Sequence, residues 1–158
     1  SRTRFAGRLN SGVRGHMLSN RTLGFLEGLA NASSAVYTEG GLQFTFKFGY
    51  QQAHSCSISL LRESLVTTDR QCLELTGKDT QELGRFFQGS LGQYTKEKPS
   101  QYAQEIARSL IERLHQDIQF DSASLVVKDE NYGMTVQLEM VQRSNNSLYS
   151  LEIWWSVD

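Results

Sequence analysis

Hydrophobic and polar residues alternate most clearly over residues 42–50, which read LQFTFKFGY. Leucine, three phenylalanines and a tyrosine fall on one side, while glutamine, threonine, lysine and glycine fall on the other. A period of two predicts a β-strand with one buried face. The same alternation predicts strands over 54–62, 122–128, 134–142 and 149–157, and a weaker strand over 65–75.

Three other segments have apolar residues three or four positions apart, which predicts helices. The strongest pattern covers 100–118, where Pro99 is favourable at the first turn. The other two helices are predicted over 79–94 and 17–30, the second ending at 31–34. Within this helix Gly24 and Gly28 lower helix propensity but permit close backbone packing.

The predicted element order is α-β-β-β-α-α-β-β-β. Short polar turns join consecutive strands, so neighbouring strands are expected to be antiparallel. Because each strand has one apolar face, only one side of the sheet is expected to be covered. The sequence therefore predicts an α+β fold, with an antiparallel sheet of about six strands and two to three helices packed on one face.

Composition and length describe one folded unit. The chain has 158 residues, 39% of them hydrophobic and 10% aromatic, which argues against intrinsic disorder and is enough for a core. No apolar run approaches the roughly 20 residues of a membrane span. Neither a signal peptide nor a transmembrane segment is visible, which favours an intracellular protein.

Positive charge is concentrated at the start of the chain. Residues 1–26 hold five arginines and no acidic residue, so they carry about +5 and leave about −6 on the rest. We predict a basic arm over 1–18 and a single α+β domain over 19–158. The arginines are Arg2, Arg4, Arg8, Arg14 and Arg21.

Four roles for these arginines stay open. They could neutralise the phosphates of a nucleic acid, or lie on an anionic membrane. An arginine-rich, acid-free N-terminus is also typical of organellar targeting segments. The fourth interpretation is that the arm packs on its own acidic body or on a neighbouring subunit.

The reactive side chains form no convincing catalytic or metal site. His54 and Cys56 fall on one face of a predicted strand, and Cys72 lies opposite Cys56 if the chain reverses near residue 64. This cluster is a weak metal candidate, because the usual Cys-x-x-Cys spacing is absent. A cross-strand disulfide is the second interpretation. Burial of both cysteines as small apolar residues is the favoured one. We therefore predict no catalytic residue, no metal and no cofactor.

The surface that stands out is aromatic. Trp154 falls on the polar face of the last predicted strand, beside Glu152, and a tryptophan there suggests a contact outside the sheet and its helices. Phe86 and Phe87 are favoured as core residues, but one of the rings could reach an interface, so Phe87 is included in the candidate surface.

These observations favour a non-enzymatic protein–protein interaction or assembly module, an adaptor-like or chaperone-like subunit. Its partner is expected to be another protein or a second copy of itself, as in a homodimer or a larger complex. One alternative is a nucleic-acid-binding protein that uses the basic arm. The other is a small-molecule-binding protein or enzyme with a pocket between sheet and helices, built from scattered residues such as His54, His115 and Glu139.

Overall fold

The computed structural model of the protein describes residues 17–50 and 77–158. This part of the chain is α+β, as predicted. Its elements, in chain order, are α1 (Asn20–Val36), β1 (Gly41–Tyr50), α2 (Gly77–Ser90), α3 (Gln101–Ile118), β2 (Ser122–Glu130), β3 (Gly133–Gln142) and β4 (Ser147–Ser156).

Four of the predicted strands lie in the described residues and form one antiparallel sheet in the order β1-β4-β3-β2. The predicted strands 54–62 and 65–75 fall outside the described residues. β4 is an inner strand, hydrogen-bonded to β1 on one side and β3 on the other. In consequence each residue of β4 has a cross-strand partner on both sides. Ile153, for example, stands between Phe44 and Val136.

The apolar residues of the alternating strands face the helices, and this face is the core. Met134, Val136 and Leu138 of β3 are buried, and they belong to one cluster with Leu26 of α1, Phe86 of α2 and Leu110 of α3. Burial of large apolar side chains is the main stabilising contribution here. No helix among the described residues is long and apolar enough to cross a membrane.

Two of the helices approach each other closely at Gly84 of α2. A Cβ atom on this residue would lie 3.2 Å from the ring of Pro99 and 3.3 Å from the backbone of Ala103, at the start of α3. α2 therefore has α3 on one side and the sheet on another, which explains why most of its second half is buried.

The first helix extends further than predicted. It continues through 31–34 to Val36, and the backbone N–H of Tyr37 closes it by donating to the carbonyl of Ser33. Ser33 is fully buried, so packing outweighs the weak helix propensity of this stretch. At the other end Leu18 is a core residue and Ser19 is the N-cap. Leu18, next to the predicted boundary between arm and domain, therefore packs with the core cluster.

Candidate functional site

The sheet face opposite the helices is polar and partly accessible. Three neighbouring rows of cross-strand partners make up its middle. Six of their residues are exposed, including Val126 at 43%, five are half-buried and Ser124 is buried. In the order β1-β4-β3-β2 the rows are Gln43, Trp154, Thr135 and Lys128; Thr45, Glu152, Gln137 and Val126; and Lys47, Ser150, Glu139 and Ser124. We call these twelve residues the open sheet face.

Trp154 and Glu152 lie together on the open sheet face, as the period of two predicted. Trp154 is half-buried between Gln43 and Thr135. Glu152 follows in the next row, between Thr45 and Gln137. The strands thus place a large indole beside a carboxylate on the same face of the sheet.

Phe87 does not belong to this surface. It is 0% exposed and packs edge-to-face against Phe86, with ring centroids 5.3 Å apart. Including it in the interaction surface was wrong, and the core interpretation is the correct one. The reason is the position of α2 between α3 and the sheet, which buries two successive side chains of the same helix.

The other predicted candidates are separated or lie outside the described residues. Arg2, Arg4, Arg8, Arg14, His54, Cys56 and Cys72 are outside them. Arg21 is exposed on α1 and donates to the side-chain oxygen of Gln116 at 3.0 Å. His115 is exposed on α3 and contacts the ring of Phe120, whereas Glu139 lies on the open sheet face. These two side chains are therefore not brought together.

A metal site would need several ligands within reach of one ion. Over residues 17–50 and 77–158, no group of three or more histidine, cysteine, aspartate or glutamate side chains is arranged to hold one.

A second site lies at one end of the sheet, on the helix side. It is a cleft of about 450 Å³, and sequence patterns did not indicate it. Its described lining comes from the end of α1, the loop after α2, the turn between β2 and β3, and the end of β4. We call it the aromatic cleft, and its lining residues are Tyr37, Tyr94, Lys96, Asp129, Glu130, Asn131, Tyr132, Gly133, Trp155 and Val157.

Three rings form the inner wall of the aromatic cleft. Tyr37 stacks on Trp155 with centroids 5.4 Å apart and planes 4° apart, and Tyr94 meets Trp155 edge-on at 6.4 Å. Hydrogen bonds hold both tyrosines, since the Tyr37 hydroxyl donates to the carbonyl of Gly89 at 2.7 Å and the Tyr94 hydroxyl to Asp129 at 2.5 Å. Burial raises the pKa of the Tyr37 hydroxyl above its ordinary value.

The charged side chains next to these rings, Arg85, Asp129 and Glu82, form ion pairs with one another. Arg85 is buried at 8% exposure and donates to both carboxylate oxygens of Asp129 and to Glu82. These bonds, above all those from Arg85, lower the pKa of Asp129 below its ordinary value. The same carboxylate raises the pKa of Tyr94 by accepting its hydroxyl proton in a hydrogen bond. Asp129 is thus kept ionised, and it fixes the position of Tyr94.

No family model matches the chain, and comparisons with curated proteins and with solved structures found no significant match. Function is therefore argued from the geometry of the described residues.

Proposed function

We propose that the protein is a non-enzymatic interaction or assembly module that uses the open sheet face to contact another protein, in the first instance a second copy of itself. The observation that carries this proposal is Trp154, a half-buried indole held on an inner strand among polar residues. Tryptophan is among the residues most often found at the energetic centre of protein interfaces.

The charges of the open sheet face support a second copy as partner. The face has two cations, Lys47 and Lys128, and two carboxylates, Glu139 and Glu152. A surface with no net charge does not favour a polyanion such as nucleic acid, which requires clustered cations. It does suit a two-fold contact, because in such a contact the same patch supplies both charge signs to its copy.

The size of the face sets the expected strength of the contact. Three rows, two residues apart, cover about 20 Å along the strands at about 3.4 Å per residue, and four strands about 4.8 Å apart cover about 19 Å, so the open sheet face measures roughly 400 Å². A stable interface buries about 800 Å² on each partner. Self-association through this face alone is therefore expected to be reversible and dependent on concentration.

The test compares the full chain with the Trp154→Ala variant by sedimentation velocity over a wide concentration range. We expect the average mass of the wild-type protein to rise above 17.9 kDa as concentration increases, and that of the variant to stay there. The matched control is Tyr102→Ala, which removes another exposed ring, on α3. It should associate like the wild type.

The outcome separates the two parts of the proposal. A wild-type protein that stays at the mass of one chain would rule out the second copy. Association that Trp154→Ala leaves unchanged would rule out the open sheet face. Binding of nucleic acid by the basic arm stays a prediction, tested by whether arginine substitutions in residues 1–18 abolish salt-sensitive binding to DNA or RNA.

A further inference from the structure

A groove with apolar walls lies on the helix side of the sheet, where α1 begins and β1 ends. Its volume is about 260 Å³. We call it the apolar groove, and its described lining residues are Met17, Leu18, Leu23, Phe46 and Phe48. Phe48 stands opposite Tyr149, near the start of β4, whereas the aromatic cleft holds Trp155, near the end of that strand. The two sites therefore lie at opposite ends of the sheet.

Apolar side chains of the groove stay accessible although they adjoin the core. Leu18 is only 2% exposed, but Met17, Leu23 and Phe46 are half-buried. The ring of Phe46 stacks on the buried ring of Tyr149, with centroids 6.1 Å apart, so the sheet fixes this wall. Accessible apolar side chains that gather at a concave place are typical of a binding site.

The size and chemistry of the groove select its kind of occupant. Small-molecule sites usually measure roughly 300–1,000 Å³, and the groove is smaller. Its described lining holds no charged side chain, so neither a phosphate nor a cation would find a partner there. A few apolar side chains of a peptide segment fit both the volume and the walls, as they do where a short amphipathic segment binds in a groove.

The sequence places such side chains directly before the groove. Apolar residues recur at every fourth position at Phe5, Leu9, Val13 and Met17, a spacing that puts them on one side of a helix. The last of them, Met17, is itself part of the groove lining. The apolar series of the N-terminal segment therefore leads into the groove.

Charge and covalent continuity favour the chain's own N-terminus as the occupant. Residues 1–16 hold four arginines and no acidic residue, about +4, whereas residues 27–158 carry about −6, and opposite net charges attract at long range. Because residue 16 is bonded to Met17, the effective concentration of the segment at the groove is about millimolar. A second copy at ordinary concentration does not compete with that.

We infer that the apolar groove binds the side chains of Phe5, Leu9 and Val13 from the N-terminus of the same chain. Three glycines within residues 7–15 lower the helix propensity of this segment, so contact with the groove has to stabilise the bound form. The groove is independent of the proposed self-association, because alternation along β1 turns Phe46 away from the open sheet face.

The inference locates the N-terminal segment without assigning a partner to its arginines. In a helix, three of them fall outside the apolar stripe, at Arg4, Arg8 and Arg14. They would stay accessible when the stripe is bound. Binding of nucleic acid by the arm is therefore compatible with an occupied groove.

Site-specific photo-cross-linking in the full chain locates the segment. The photoreactive residue p-benzoylphenylalanine replaces Leu9, the protein is irradiated at low concentration, and mass spectrometry maps the linked residues. We expect links within one chain to Leu23, Phe46 or Phe48. The matched control carries the same group in place of Ser11, on the opposite side of the helical stripe, and should link to the groove far less.

Two substitutions test whether the groove itself holds the segment. Leu23→Asp places a carboxylate in the groove, and Val13→Asp places one in the segment. Each should lower the yield of cross-links about tenfold, the effect of losing one buried apolar side chain. Ala32→Asp, at an exposed position of α1, is the control for Leu23→Asp and should leave the yield unchanged.

Circular dichroism shows whether each variant is folded. Val13 lies outside the described core, so Val13→Asp tests the inference even if Leu23→Asp unfolds the protein. Any of four results would overturn the inference. These are links between two chains, which would assign the groove to the arm of a second copy; links from position 9 to residues 51–76 or to scattered surface residues in place of the groove; equal yields from positions 9 and 11; and yields that the folded aspartate variants leave unchanged.

Discussion

Arg85 of α2 and Asp129 of β2 tie the helix layer to the edge of the sheet. Nη2 of the arginine lies 2.7 Å from Oδ1 of the aspartate, and Nη1 lies 3.3 Å from Oδ2. The arginine side chain is 9% exposed but the aspartate 37%. The pair therefore sits at the boundary between core and solvent, where it supports the wall of the aromatic cleft.

This ion pair predicts acid sensitivity. The pKa of Asp129 is lowered in the folded protein. Its stabilising contribution is therefore complete above the unfolded value of about 3.9 and is lost as the pH falls through the lower folded value. Asp129→Asn should cost about 1 kcal/mol of unfolding free energy at neutral pH, a modest figure because the carboxylate is partly solvated.

Urea unfolding at a series of pH values checks this. The difference in unfolding free energy between the wild type and Asp129→Asn should shrink below about pH 4. The exposed Asp158→Asn serves as the control and should follow the wild type throughout. A difference that is constant down to the lowest pH would contradict the assignment.

The C-terminal turn of α3 holds the start of α1 through Asp117. Its Oδ2 accepts hydrogen bonds from the backbone N–H of Ser19 at 3.0 Å and from the hydroxyl of Thr22 at 2.6 Å. We expect Asp117→Ala to lower the unfolding free energy by about 2 kcal/mol, since both an N-cap and a buried hydroxyl lose their acceptor. Thermal unfolding of Asp117→Ala, compared with the control variant Glu112→Ala on the same helix, measures this loss of stability. Equal melting temperatures would contradict this role.

Gly24 and Gly28 serve no close packing within residues 17–50 and 77–158. Among these residues, a Cβ atom on either glycine would meet no heavy atom within 4 Å outside the backbone of α1 and the adjacent residues. Each substitution by alanine should therefore stabilise the protein, by about 0.5–1 kcal/mol, because it restricts the unfolded chain and favours the helix. Urea denaturation of the single variants tests this. A loss of stability would indicate that α1 packs against something at these positions.

Gly89 of α2, by contrast, leaves no room for a side chain. A Cβ atom there would lie 2.4 Å from Cζ2 of Trp155, a rigid ring that is 4% exposed. Gly89→Ala should destabilise the protein by about 1–3 kcal/mol, the usual cost of overpacking. Gly24→Ala is the matched control in the same denaturation series. A neutral Gly89→Ala would mean that the indole moves freely.

The two tryptophans should separate binding from stability. Trp155→Ala removes a ring stacked on Tyr37 within the core and should cost about 3–5 kcal/mol of unfolding free energy. Trp154→Ala should cost about 1 kcal/mol or less, because its ring lies on the open sheet face. Only Trp154→Ala should abolish self-association while the protein stays folded. Denaturation and sedimentation of both variants provide the comparison, and equal losses of stability would contradict it.

Local patterning determined much of this protein. The period of two identified all four described strands and placed Trp154 and Glu152 on one face, because successive side chains of a strand must alternate. The period of 3.6 identified α3 almost to the residue, since a wide apolar stripe on so long a segment fits few other structures. The α+β class followed from these periods and from the turn residues.

Tertiary structure decided what no local pattern records. β1 pairs with β4, so that Gly41 stands opposite Ser156 across more than a hundred residues of chain. The packing of α2 between two layers buried Phe87, and packing against the core extended α1 past its predicted end. The aromatic cleft joins Tyr37, Tyr94, Asp129 and Trp155 from four separate segments. Side-chain periods reflect only which face of an element is buried, whereas strand order and clefts depend on how complete elements pack against one another.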